Sequence, residues 1–381
     1  MQTNLSKDIG NSNINNSEKY RKQENNSFEN STKQKNTKKS FPDSKHIKSI
    51  TYSDVRPGDL KYRKPGNNKS FAESLTTISN AKNGNSENAF AKKSTALIKS
   101  KTISYNEIPS WMKDNVYIRS GYRKPNQSFV SCLSSLGYLH NEFINVWSHL
   151  VGVVLFIVLM FVTAIFVFPS IKTISIYDVL VTYIFLTGAV VCLLLSSIYH
   201  LFQCHSEQVA NNFIKCDYIG IILLIIGSCV PAFFYAFYCH NFLKTLYISM
   251  MVVFGILTGI FVMTPKFSDS EWITIRASTF VLMALSGIIP LVHSSISFGI
   301  SYTYKALQIQ YLTPMALFYI AGALIYGARI PERWFPGKFD IYFHSHQIFH
   351  FFVVFAAAFH YIGVINALHW THKLAPICPA F

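Results

Sequence analysis

The sequence predicts an all-α membrane protein: a seven-transmembrane helix bundle, N-terminus cytoplasmic and C-terminus outside, preceded by a disordered tail. Three observations predict it. Half of the 381 residues are apolar and only 14% are charged. Apolar runs of about 20 residues, enough to cross a bilayer core, recur along the chain. The charges are unevenly spread: positions 1–110 hold 20 of the 34 Lys and Arg and 10 of the 19 acids, a net +10 from 20 − 10.

The tail, residues 1–110, is rich in Asn, Ser and Lys, as in IGNSNINNSEKYRKQENNSFENSTKQKNTKKS (9–40). It lacks the apolar periodicity that would offset ordering entropy. Its charge keeps it solvated and is also suited to anionic lipid headgroups. Its lysines are diluted by Asn and Ser without a folded motif, so no nucleic acid partner is expected. Residues 111–145, with aromatic and basic residues from Trp111 to Arg123, predict a cytoplasmic juxtamembrane amphipathic segment at the interface. The membrane domain follows over 146–368, and residues 369–381 form a short extracytoplasmic C-terminus.

Spans are expected at about 146–168, 176–202, 216–239, 245–264, 276–298, 306–328 and 345–368. The fifth is the weakest, because Pro290 and His293 interrupt it, although proline is tolerated in membrane helices. No signal peptide is expected, since the first apolar run comes after position 140, and the first span must drive insertion itself. The seven cysteines (Cys132, Cys192, Cys204, Cys216, Cys229, Cys239, Cys378) show no paired spacing, and no disulfide framework is indicated. The absence of internal repeats and paired broken helices argues against a transporter. Localisation is integral and multi-pass, in the plasma membrane or an endomembrane.

Orientation follows from Lys and Arg near the span ends, which favour the cytoplasmic side. One side offers Arg119, Arg123, Lys124, Lys215, Lys266, Arg276, Arg329, Arg333 and Lys338, against Lys172, Lys244, Lys305 and Lys373 on the other. An odd number of spans is consistent with a tail inside and a C-terminus outside.

The chemistry is concentrated in SHQIFH (345–350), at the mouth of the seventh span. Residues four apart lie one above the other on a helix, so His346 and His350 can aim at one point. Such pairs, with one further ligand, are a recurrent zinc arrangement. In isolation the commoner reading of an HxxxH pair is packing inside the bundle or hydrogen bonding across helices. Topology shifts the balance, because polar residues in membrane spans are costly and tend to mark sites. Span two ends in SSIYHLFQC, which brings His200 to the same depth, and span three begins with KCDYIG, which brings Asp217 there. Ser196 sits one turn before His200 on the same face. Each has a plainer reading: Ser196 as a backbone-bonded membrane serine, Asp217 as an acid stabilising the first turn of its helix. Three protein ligands leave a fourth zinc position open for water, the pattern of catalytic sites.

The matching stretches SGYRKP (120–125), LHNEFINVWSHLVG (139–152), SSIYHLFQCHS (196–206), KCDYIGI (215–221) and ARIPERWFPGKFDIYFHSHQIFH (328–350) resemble the progestin and adipoQ receptor family, hemolysin-III-related. The closest resemblance is to the subgroup of adiponectin receptors and fungal zinc-homeostasis proteins, and it extends over about 119–366 of the chain. It implies seven helices with a cytoplasmic N-terminus. It also implies Zn2+ held by His200, His346 and His350, Asp217 reaching the zinc through water, and Ser196 beside it. The broader resemblance to intramembrane zinc hydrolases implies hydrolysis of ceramide or a related N-acyl lipid, releasing free fatty acid. The alternative is a receptor for an extracellular protein ligand with a purely structural zinc, acting in lipid or zinc homeostasis; a homo-oligomer remains open. His344, His360, His369 and His372 match no ligand position. For Glu142 a packing or capping role is favoured over one in the chemistry.

Overall fold

Where an apolar run meets a residue able to cap a helix, the backbone fixes the ends of a span, and these ends position the site. The computed structural model describes residues 101–264 and 272–374. Within them seven helices are long and apolar enough to cross a membrane: Phe143–Ser170, Ile176–Phe202, Glu207–Ala236, Asn241–Met263, Ile275–Phe298, Ile309–Ala328 and Ser345–Lys373, spans one to seven. Span two opens with a capping box in which Ser175 and Asp178 bond each other's backbone amides. Span three opens with Ser206, whose hydroxyl accepts from the Val209 amide.

Three spans differ from expectation. Span three starts at Glu207 rather than about 216, because the Ser206 cap lets the polar turns of QVANNFIK continue the helix beyond the apolar run. Asp217 therefore lies well inside its helix and is not an acid of the first turn. Span five is broken into Ile273–Leu285 and Ile288–Phe298. Pro290 has no amide to return to the Ser286 carbonyl, and the Ile289 amide takes that carbonyl in a tighter turn instead. Span six starts at Ile309 rather than 306, after Gln308 adopts φ 51° and ends the separate short helix Ile300–Ala306.

Spans two and three form the centre, with half or more of their most apolar stretches buried (50% and 56%), while span six is almost wholly peripheral at 6%. Glycines permit the approach. A Cβ on Gly188 would stand 2.9 Å from the Leu223 carbonyl oxygen, and one on Gly220 would stand 3.0 Å from the Cys192 Cα. Membrane helices have no water to squeeze out between them, so such small residues at the seam make close van der Waals packing possible. Outward positions are apolar, as with Val154, Phe161 and Ile165 of span one and Leu317, Ile320 and Leu324 of span six.

Ahead of span one, two short strands, β1 (Thr102–Ile103) and β2 (Tyr122–Arg123), pair antiparallel. Ile108, Ile118 and Tyr122 form a small buried cluster beside them. Residues 101–110 are thus ordered, against the expected tail boundary at 110, because this apolar trio gives them something to bury. Between 111 and 142 the backbone is largely irregular, with one short α-helix, Phe129–Ser134. Residues 1–100, Lys266 and Cys378 lie outside the described residues. Among the described residues Cys239 is disulfide-bonded, whereas Cys132, Cys192, Cys204, Cys216 and Cys229 are free.

Candidate metal centre

The start of span seven is fixed by a buried carboxylate. Glu332 accepts from the Ser345 amide at 2.7 Å and from Asn115 Nδ2 at 3.1 Å, and it also accepts from the Ser345 hydroxyl. A negative charge there meets the unpaired amides and positive dipole end of the helix. Gln347 donates to the carbonyls of Ile341 and Asn141, which sets the rotation of the first turn. His346 and His350 then face one side, toward the last turn of span two. There Arg123, itself buried, donates to the carbonyls of Leu201 (2.7 Å) and His200.

The result is a group of three imidazoles, His200, His346 and His350, whose potential ligand atoms all lie within 4.8 Å of one another. His200 Nε2 and His346 Nε2 stand 3.2 Å apart. His200 and His350 are almost fully buried. The second nitrogen of two of the rings is engaged. His200 Nδ1 donates to Glu142 Oε2 at 2.7 Å, and His350 Nδ1 donates to the Asn145 carbonyl at 3.1 Å. Those bonds leave each Nε2 with its lone pair facing the group, the tautomer a metal ligand requires. Burial alone would raise the Glu142 carboxyl, but the bond to His200 and the amide of Asn145 (2.6 Å) hold it well below the usual carboxylate range. Three imidazole nitrogens with one carboxylate behind them can hold a metal ion.

Asp217 and Ser196 lie alongside. Ser196 and His200 both lie close to the Asp217 carboxyl group. Asp217 does not join the metal-ligating group itself. The other histidines are occupied elsewhere: His344 on the Asn141 carbonyl, His360 on Ser228, His369 on Ile365, and His372 on Asp178.

Sequence reasoning underweighted Glu142, which makes no capping hydrogen bond and instead orients His200. It missed Asn145, Glu332 and Arg123. It also missed His149, whose ring stacks on His350 with centroids 3.7 Å apart and whose nitrogens are buried with no partner among the described residues. One available signal was the spacing of Glu142, Asn145 and His149, which places all three on one face at the start of span one.

Residues 137–361 match the family described as Haemolysin-III related. The chain is 42% identical over 266 residues to Adiponectin receptor protein of Drosophila melanogaster, covering 69% of this chain and 59% of that one. It is 39% identical over 271 residues to ADIPOR-like receptor IZH2 of Saccharomyces cerevisiae, covering 71% and 84%. It is 38% identical over 273 residues to Heptahelical transmembrane protein 1 of Arabidopsis thaliana, covering 70% and 81%. The chain spans about three fifths of the length of the Drosophila relative.

Proposed function

The chain belongs to the Haemolysin-III related family, and on that premise we propose that its three-histidine site holds zinc and hydrolyses ceramide or a related N-acyl lipid to free fatty acid. The observation that carries the reading is the paired tautomers: Nε2 of His200 and of His350 is left free by hydrogen bonds at Nδ1. The donor set fits the ion. Tetrahedral zinc with Zn–N distances of about 2.0–2.1 Å sets two nitrogen donors roughly 3.3 Å apart, against 3.2 Å between His200 and His346. Hard cations such as magnesium and calcium call for oxygen ligands instead.

Zinc in such a site supplies Lewis acidity, polarising a carbonyl and making water nucleophilic at neutral pH. The rest falls to the chain's own residues. Asp217 takes the proton of the attacking water on its carboxylate and returns it to the amide nitrogen as the C–N bond breaks. Ser196, close to that carboxylate, donates a hydrogen bond to the substrate or the intermediate. Glu142 and Asn145 keep the imidazoles turned. The fatty acid leaves as one product and the sphingoid or related amine as the other. The site lies at the cytoplasmic end of the bundle in this reading.

A second reading is favoured by the word receptor in the names of relatives: a structural zinc ties spans two and seven together while an extracellular protein ligand alters their packing. One experiment separates them. Purified protein, assayed for zinc by elemental analysis, is incubated with a panel of ceramides and other N-acyl lipids. The hydrolase reading expects one zinc per chain, fatty-acid release, and loss of release on chelation with recovery on zinc addition. Stoichiometric zinc with no release from any lipid supports the structural reading instead.

A further inference from the structure

Two buried thiols outside the metal centre have no part in the chemistry above. Cys132 lies in the short helix Phe129–Ser134, and Cys204 lies just beyond the end of span two. Their sulfurs are 3.5 Å apart, and the residues are 1% and 2% exposed. Among the described residues, the other free cysteines, Cys192, Cys216 and Cys229, make no such sulfur contact. The two segments are already held together: Arg123 donates to Ser135 Oγ at 3.0 Å and to the Leu201 carbonyl at 2.7 Å, and Ser135 Oγ donates back to the Cys132 carbonyl.

We propose that Cys132 and Cys204 are a reversible disulfide site, oxidised by hydrogen peroxide or another small hydroperoxide. Sulfurs in contact need to move about 1.5 Å, from 3.5 Å to the S–S bond length of roughly 2.05 Å. Burial excludes bulky oxidants, so the oxidant class is a small hydroperoxide. The hydrogen bond from Cys132 and the charge of Arg123 draw the Cys204 thiol down despite its burial, which favours Cys204 as the attacking thiolate. Its sulfur attacks a peroxide oxygen, the O–O bond breaks, and a sulfenic acid forms as water leaves. The Cys132 sulfur then attacks the Cys204 sulfur, the S–O bond breaks, and a second water leaves with the Cys132 proton. Two thiols lose two electrons and one peroxide becomes two waters. The bond fastens the segment ahead of span one to the chain four residues beyond His200.

The test uses the full chain, purified and exposed to peroxide at concentrations that oxidise its methionines. It is then unfolded in an alkylating reagent without reductant, digested, and mapped by mass spectrometry. The expected result is a peptide pair joined through Cys132 and Cys204, two hydrogens lighter than the reduced pair and lost on reduction, with Cys192, Cys216 and Cys229 alkylated. In Cys132→Ser, Cys204 is expected to be trapped as a sulfenic acid by dimedone. Recovery of both cysteines alkylated in the oxidised wild type, or of either one linked to another cysteine or over-oxidised alone, overturns the proposal. The wild-type map decides the question even if the variant fails to fold.

Discussion

At the scale of single residues, the site turns on what stands behind each imidazole. His200 without its Glu142 bond is free to rotate or to take the wrong tautomer, and removal of such a partner typically costs about 10–100-fold in metal affinity. Glu142→Ala is therefore expected to weaken metal retention in a chelator competition by about that factor. Glu142→Gln, whose amide oxygen can still accept from Nδ1, should recover much of it. His346→Ala, which removes a ligand outright, should leave protein purified without bound zinc. Retention of stoichiometric zinc by His346→Ala would mean that the metal lies elsewhere. These roles were only partly legible in the sequence. HxxxH and His200 could be read from helical spacing and span parity. The service of Glu142 to His200 crosses 58 positions of chain, and periodicity within one helix says nothing about which neighbour a side chain meets.

At the scale of elements, two features carry the geometry. Glu332 caps span seven from 13 residues away, and its loss leaves the Ser345 amide and Asn115 without their buried acceptor. Glu332→Ala should lower stability by about 1–3 kcal/mol, read as a lower unfolding midpoint in detergent, with metal lost alongside because His346 follows Ser345 directly. The glycine seam between spans two and three is the other. Gly188→Val must push against the Leu223 backbone, a neighbour that cannot rotate away. The spans should part, with a lowered midpoint and Ser196 displaced from Asp217. Gly327→Ala, where a Cβ meets nothing within 4 Å, serves as the control and should leave both properties unchanged. The existence of the seven spans was legible, because long apolar runs in a bilayer leave helices as the natural way to pair every backbone group. Boundaries were less so. Span three extends back to Glu207 and span five breaks before Pro290, since capping and backbone bonds act where hydropathy changes little. The ordering of residues 101–110 rests on a contact among Ile108, Ile118 and Tyr122 too short to produce a period.

At the scale of the whole molecule, seven spans put the two ends of the helix bundle on opposite sides, and the proposed orientation, from the Lys and Arg excess, sets the three-histidine group at the cytoplasmic end. An epitope tag ahead of residue 1 should then be protected from protease or antibody in intact cells, and one after residue 381 should be reached; the reverse pattern would move the site to the other face. At the opposite end of the bundle, His372, Asp178 and Tyr235 join spans seven, two and three, so spans two and seven, which meet at the three-histidine group, are tied at both ends. An assembly held this way keeps its fold when a single site group is removed, and that makes chemistry separable from structure. The most direct measurement is fatty-acid release by Asp217→Ala beside the wild type, both verified for bound zinc. The account predicts that the variant keeps its zinc and unfolding midpoint but loses turnover by at least about 10²-fold, the usual contribution of a positioned proton-transfer group. A variant that keeps zinc and hydrolyses at the wild-type rate would contradict it.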